Sequence, residues 1–218
     1  MEAEKKLINH EKNYVVASNL RNSLAEILVY LQNEELNFHN DDIRLRIKLA
    51  FIDMFNVKDA MEKNQWSIYN KDNPSGKELF KEFNSNFRKD IEGIRNSFSG
   101  HFDPALLHEV AEENPVYFQD GVDPRVQQIG IFIQMLAKCI NSRKGKLNEL
   151  FGGNCFLMMF KENQEKLRQY IIGMVKQSIK ICDYVIEQSS PFVKLPKMGT
   201  VWVNLLNETL ESSLENAS

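Results

Sequence analysis

Leu79 and Phe80 open an apolar series that continues through Phe83, Phe87, Ile91, Ile94 and Phe98 in steps of three or four. That spacing lines one face of an α-helix and does not fit a strand, whose period is two. Gly100 and Pro104 end the stripe. The same rhythm recurs along the chain. Leu20, Leu24, Ile27, Leu28 and Leu31 mark a first long helix. Ile43, Ile47, Ala50, Phe51, Met54 and Phe55 mark a second, with Asn40 or Asp41 as N-cap. No segment alternates as a strand does, so the spacing predicts an all-α fold, a helical bundle of about six helices.

The breaks fall where the few Gly and Pro residues cluster. Tyr69–Gly76 reads as a loop. Asp103-Pro104 reads as N-cap and first turn of a short helix through about Ala111, and Asn114 to Gly121 as a connection. The helix opened by Asp123-Pro124 carries Val126, Ile129, Ile133, Leu136 and Ile140, with Ile131, Phe132 and Met135 between them. A helix apolar nearly all round belongs at the centre of the domain. Phe151-Gly152-Gly153-Asn154 is a turn, and Leu167 to Ile186 marks a last long helix. We read residues 1–190 as one helical bundle, and 191–218 as a linker with a short helix over Trp202–Leu214.

With 27 basic against 30 acidic side chains the net charge is -3, so general attraction to nucleic acid or anionic lipid is absent. Any RNA contact must come from a local patch. Cys139, Cys155 and Cys182 are far apart and form no C-x-x-C pair, the pattern of buried, reduced thiols. The longest dense apolar run, Cys155–Phe160, cannot span a bilayer. The N-terminal residues are charged rather than apolar. The expectation is a soluble, cytoplasmic protein with no membrane partner.

The chemistry-bearing residues sit at the end of the Leu79–Phe98 stripe, in Arg95-Asn96-Ser97-Phe98-Ser99-Gly100-His101. Arg95 is permanently charged and planar, suited to phosphate or carboxylate. His101 can exchange a proton near neutral pH. On a continuous α-helix the two would stand about 120° apart; a 3₁₀ or widened turn near Gly100 would change that angle. Asn96 can offer its carbonyl to Arg95 or orient a ligand. The fragment Leu20-Arg21-Asn22-Ser23-Leu24 echoes Ile94-Arg95-Asn96-Ser97-Phe98, but no His follows it.

Arg-Asn followed by His at the end of a long helix resembles the signature of the HEPN superfamily (higher eukaryotes and prokaryotes nucleotide-binding domain). Five residues separate Arg95 from His101, within that pattern. The resemblance implies a HEPN-like bundle acting as a homodimer, two copies of the motif meeting in a cleft. It implies metal-independent endoribonuclease activity of the toxin or antiviral-defence type, with RNA as substrate, no cofactor, and an antitoxin or regulatory protein as partner. Arg95 would clamp the phosphate, Asn96 orient it, and His101 shuttle the proton. One toxin branch carries a Tyr two positions after the His; here Asp103 stands there, so that branch's control by modification is not implied.

A second reading of the same residues stays open. In it the polar cluster caps the helix and secures a dimer, or binds a nucleotide or partner protein, without catalysis. Elsewhere the simpler readings are preferred. His10 and His39 are read as solvated, Asp41-Asp42 as a helix start, and Arg44, Arg46 and Lys48 as a solvated face. Phe156–Phe160 reads as core. His101 and His108 lack a third ligand for a metal site.

Overall fold

A computed structural model describes residues 2–62, 66–70, 73–99, 103–143, 145–154 and 160–194. Among these the chain is all-helical, with seven α-helices: α1 (Glu2–Asn33), α2 (Asp41–Glu62), α3 (Pro74–Ile94), α4 (Pro104–Glu113), α5 (Pro124–Arg143), α6 (Lys146–Leu150) and α7 (Lys161–Ser189). The all-α expectation holds, and the count exceeds six by the single-turn α6, too short to leave a periodic signal. The expected helix over Trp202–Leu214, Cys155 and most of the Phe156–Phe160 run lie outside the described residues. Phe160 is 59% exposed rather than core.

Capping residues fix the starts of α2, α3 and α4. Asn40 Oδ1 accepts the Asp42 N–H at 2.9 Å, which settles the α2 cap on Asn40. Asn73 Oδ1 accepts from Ser75 and Gly76, so α3 begins at Pro74, inside the stretch expected to be loop. Asp103 Oδ1 accepts the Ala105 and Leu106 N–H groups and Pro104 takes the first turn of α4, as its sequence prescribes.

α1 and α7 run antiparallel. Arg168, near the start of α7, donates to the Leu31 carbonyl at the end of α1 at 2.7 Å. Arg21 meets Asp183 midway at 3.2 Å. The Phe192 ring stacks on His10 at 4.3 Å at the other end. A guanidinium against the last carbonyls of a helix is favoured by its dipole. His10 is therefore buried rather than solvated, its Nδ1 2.9 Å from the Tyr69 hydroxyl.

The middle of α5 is enclosed nearly all round, with Ile129, Phe132, Ile133, Met135, Leu136 and Ile140 buried, as its composition requires. Its first turn differs: Val126 is 53% exposed. Cys139 and Cys182 are both buried. Burial first, then the charge of Asp183, pushes the Cys182 thiol well above its ordinary value and keeps it protonated at neutral pH. Gly152 and Gly153 take positive φ values of 59° and 79° in the turn after α6.

A buried carboxylate ties α3 to α6 and α7. Asp90 is 2% exposed. Its Oδ2 accepts the Leu147 N–H at 3.2 Å and the Tyr170 hydroxyl at 2.8 Å. Asp90 thus caps α6 from a distant helix, while Gly145 at the N-cap position offers no side chain. A Cβ on Gly145 would collide with Asp90 Oδ1, so the cap needs glycine there. Burial holds the Asp90 carboxyl above its ordinary value, against the opposing hydrogen bonds from Tyr170 and Leu147.

Gly145→Ala is therefore expected to destabilise the protein by about 2 kcal/mol through overpacking. Most of that cost should vanish in an Asp90→Ala background, where the colliding oxygen is gone. Denaturant unfolding of the four proteins of this double-mutant cycle measures the coupling; additive costs would mean that Gly145 and Asp90 do not meet.

Candidate functional site

The last two turns of α3 lie antiparallel against the last two turns of α2, and their polar side chains interlock. Arg88 meets Glu62 at 3.2 Å, and Lys58 meets Glu92 at 2.6 Å. Arg95 lays its guanidinium over the Phe55 ring, 4.3 Å from the centroid. Moving back along α2 from 62 to 58 to 55 is answered, turn for turn, by moving forward along α3 from 88 to 92 to 95. The rail is cross-braced: Lys58 also reaches Glu62 at 2.7 Å, and Arg88 reaches Glu92 at 3.2 Å.

Lys58 is 6% exposed. Burial alone would lower its ammonium, but the hydrogen bonds to Glu62 and Glu92 outweigh that and hold it above its ordinary value. Burial likewise pushes the Glu92 carboxyl up, yet Lys58, by hydrogen bond and charge, and Arg88 carry it below its ordinary range. The acids beside the motif are thus already committed. Glu92 belongs to the rail and Asp103 Oδ1 to the α4 cap.

Where α3 ends, the backbone widens into a π-helical turn over Arg95–Ser99. Such turns are often found at functional sites. Within it Arg95 is half-buried, and its Nη1 donates to Asn96 Oδ1 at 3.1 Å. The structure thus brings Arg95 and Asn96 together. His101 lies outside the described residues, so the third member of the motif is not placed.

The echo in α1 is an internal control. Arg21 Nη1 stands 3.5 Å from Asn22 Oδ1, the same contact between neighbours, but Arg21 is answered by Asp183 instead of an aromatic ring. An Arg-Asn contact alone is therefore unremarkable on a helix. The cation-π seat on Phe55 and the π-turn distinguish Arg95.

Three residues further, Phe98 is buried and turns to the other side of the rail. Its ring meets Phe132 of α5 edge-on at 4.8 Å and 70°. Together with Leu107, Ile131 and Met135, these rings line a cleft of about 420 Å³ between α2, α4 and α5. Its α2 wall carries Arg44 and Lys48, with Asp41 at the edge. The Arg44, Arg46, Lys48 set is therefore not a solvated face; Arg46 is half-buried, its guanidinium over the Tyr30 ring at 5.4 Å from the centroid. Arg44 is 8% exposed, donating to the Phe38 carbonyl and to the Asp41 carboxylate. The Lys48 ammonium stands over Phe98 and Phe132, 5.3 and 5.8 Å from the centroids. Burial, then the positive charge of Arg44, lowers its pKa from the ordinary 10.5. A signal was present in the sequence: Arg44 sits three before Ile47 and seven before Phe51, on the buried face.

No group of three or more His, Cys, Asp and Glu gathers among the described residues in the manner of a metal site. His108 is exposed, 3.5 Å from Glu112. Among the described residues no helix is long and apolar enough to cross a membrane. Comparison with protein-family models, curated proteins and solved structures finds no match to this chain.

The rail has a pH signature. Because the folded state holds Glu92 below its ordinary value of 4.5, its contribution is complete above that value and is lost as pH falls through the lower, folded one. Glu92→Gln should cost about 2 kcal/mol near neutrality. The gap to wild type should close as pH falls below the ordinary value, and urea unfolding from pH 7 to pH 3 measures it. A gap unchanged across that range would remove Glu92 from the rail.

Proposed function

We propose that this chain is a metal-independent endoribonuclease acting as a homodimer, in which Arg95 and Asn96 hold a phosphate and His101 moves the proton. The Arg95-Asn96-x4-His101 pattern and its resemblance to HEPN ribonucleases support the reading. The observation that carries it is the seating of Arg95: the guanidinium is stacked on Phe55, tied to Asn96, and presented by a π-turn at a helix end. A cation held in place before substrate arrives costs little to organise when charge develops. One hydrogen bond uses one of the five donors of a guanidinium.

In this scheme the ribose 2′-oxygen attacks the adjacent phosphorus and the bond to the 5′-oxygen breaks. The 2′-hydroxyl proton leaves to a base, and the 5′-oxygen receives one from an acid. The His101 residues of the two protomers supply these two roles, and Arg95 offsets the charge on the phosphorane oxygens. A cytoplasmic toxin or defence effector held in check by an antitoxin or regulatory protein fits this chemistry. The second reading, a non-catalytic dimerisation or ligand-binding module, is favoured by one observation, the Arg21–Asn22 contact that forms without any histidine.

Incubation of the purified protein with total RNA in chelator separates the two. Cleavage leaving cyclic phosphate and 5′-hydroxyl ends is expected. It should fall at least about 100-fold in His101→Ala and in Arg95→Ala, with helicity and oligomeric mass unchanged. Arg95→Lys should fall between, since it keeps the charge but loses the planar fork. A native protein that leaves all RNA intact, or variants that cut as well as it does, would support the second reading.

A further inference from the structure

We infer that the flank of α3 beside α2 carries the phosphate backbone of RNA, with Lys77 and Lys81 as an anchor whose far end stands about 27 Å from Arg95, an assignment that rests on the ribonuclease reading for the role of Arg95. Lys77, Lys81, Arg88 and Arg95 follow one another along the chain in steps of four, seven and seven residues. At about 100° per residue those steps keep all four within about 40° of arc. Arg88 and Arg95 fix which flank this is, since Arg88 reaches Glu62 and Arg95 lies over Phe55, both on α2. Lys77 and Lys81 are exposed, and neither pairs with an acid among the described residues. Glu78 and Glu82 each stand one position after a lysine, about 100° further round the helix. Glu82 faces α7, where it accepts from Gln177 Nε2 at 3.3 Å.

Between the lysines and Arg95 lies the rail, and its acids are already taken. Glu62 is held by Lys58 at 2.7 Å and by Arg88 at 3.2 Å; Glu92 is held by the same two cations at 2.6 and 3.2 Å. A polyanion crossing the rail therefore meets compensated carboxylates, with unanswered cations at both ends. A net charge of -3 leaves nucleic acid to a local patch, and a cationic line ending at a guanidinium suited to phosphate is such a patch. The stripe does not suit a protein partner. Its other positions are Asn84, Ser85 and Glu92, with no apolar anchor, whereas protein interfaces centre on buried aromatic or aliphatic side chains. Contacts from such a stripe go to phosphate, which positions a strand without reading its sequence. α7 supplies a control. Lys176 and Lys180 repeat the spacing of Lys77 and Lys81 and are also exposed, but the next positions on their line are Asp183 and Glu187.

Binding is read on the full chain carrying His101→Ala, so that the strand is held and not cut, whether or not the native protein cleaves. The probe is a fluorescein-labelled single-stranded RNA of about 20 nucleotides and mixed sequence, followed by anisotropy from about 50 to about 300 mM salt. Saturable binding is expected at low salt. Adding Lys77→Gln with Lys81→Gln should weaken it about tenfold and flatten the log–log salt slope by about 1.4, the share of two single-strand phosphate contacts. Lys77→Arg with Lys81→Arg should keep the slope. Lys176→Gln with Lys180→Gln removes the same charge and should leave affinity within about twofold. Bound RNA should also protect Lys77 and Lys81 from acetylation, a reading that needs no substitution on the stripe. No RNA bound at low salt, an unchanged slope, or an equal loss in the α7 pair would overturn the inference, while cleavage of total RNA by the native protein decides the ribonuclease reading separately. Polyglutamate held as tightly as RNA, with the same loss in the Gln pair, would assign the stripe to an acidic protein and overturn it as well.

Discussion

The antiparallel rail between α2 and α3 is the constraint on which the rest of the site depends. An apolar stripe can be satisfied in several registers along a partner helix, because ridges repeat every turn. Charged pairs cannot, since a slip of one turn would set Arg88 against Lys58 and leave the buried Lys58 ammonium facing its own kind. Lys58, 6% exposed, makes the choice strict, since a buried ammonium separated from its carboxylates is far costlier than an exposed one. The rail therefore fixes where α3 must end relative to Phe55, and with that where Arg95 comes to rest.

The π-turn then divides two kinds of surface. Arg95 lies on the rail side, over Phe55, and Phe98 lies on the cleft side, against Phe132 and beneath Lys48. One widened turn thus carries both a guanidinium suited to phosphate and an aromatic wall of an apolar cleft. A straight α-helix would keep its hydrogen-bond ladder regular but would not give this placement. The aromatic contacts on both sides supply compensation, each cation or ring pair adding on the order of 1 kcal/mol.

The helical stripes were legible because α3, α5 and α7 each carry long periodic runs, and Asp103-Pro104 was legible because capping is local chemistry. The chain did not announce α6, whose start is capped by Asp90 from a distant helix. It did not announce that Asn73 pulls Pro74–Gly76 into α3, although the cap residue stood in plain view. The surroundings of the basic residues of α2 are not legible in the sequence, for a physical reason. Long side chains bury their stems and find partners from other helices, so Arg44 and Lys48 read as solvent-facing until Phe38, Phe98 and Phe132 are placed around them. The burial of His10 is hidden in the same way, its neighbours Tyr69 and Phe192 being far away in sequence. Of the motif, the Arg95–Asn96 contact was legible from adjacency alone, whereas the seat on Phe55 required the rail.

Arg95 is held, before any ligand arrives, against the face of Phe55. Proton NMR of the Arg95 guanidinium and side-chain methylenes tests it directly, because a ring 4.3 Å away shields what lies above it. Upfield-shifted Arg95 resonances are expected in the free protein, returning to ordinary positions in Phe55→Leu while the rest of the spectrum keeps its dispersion. Ordinary Arg95 shifts in the free protein, or shifts indifferent to the loss of the ring, would contradict it.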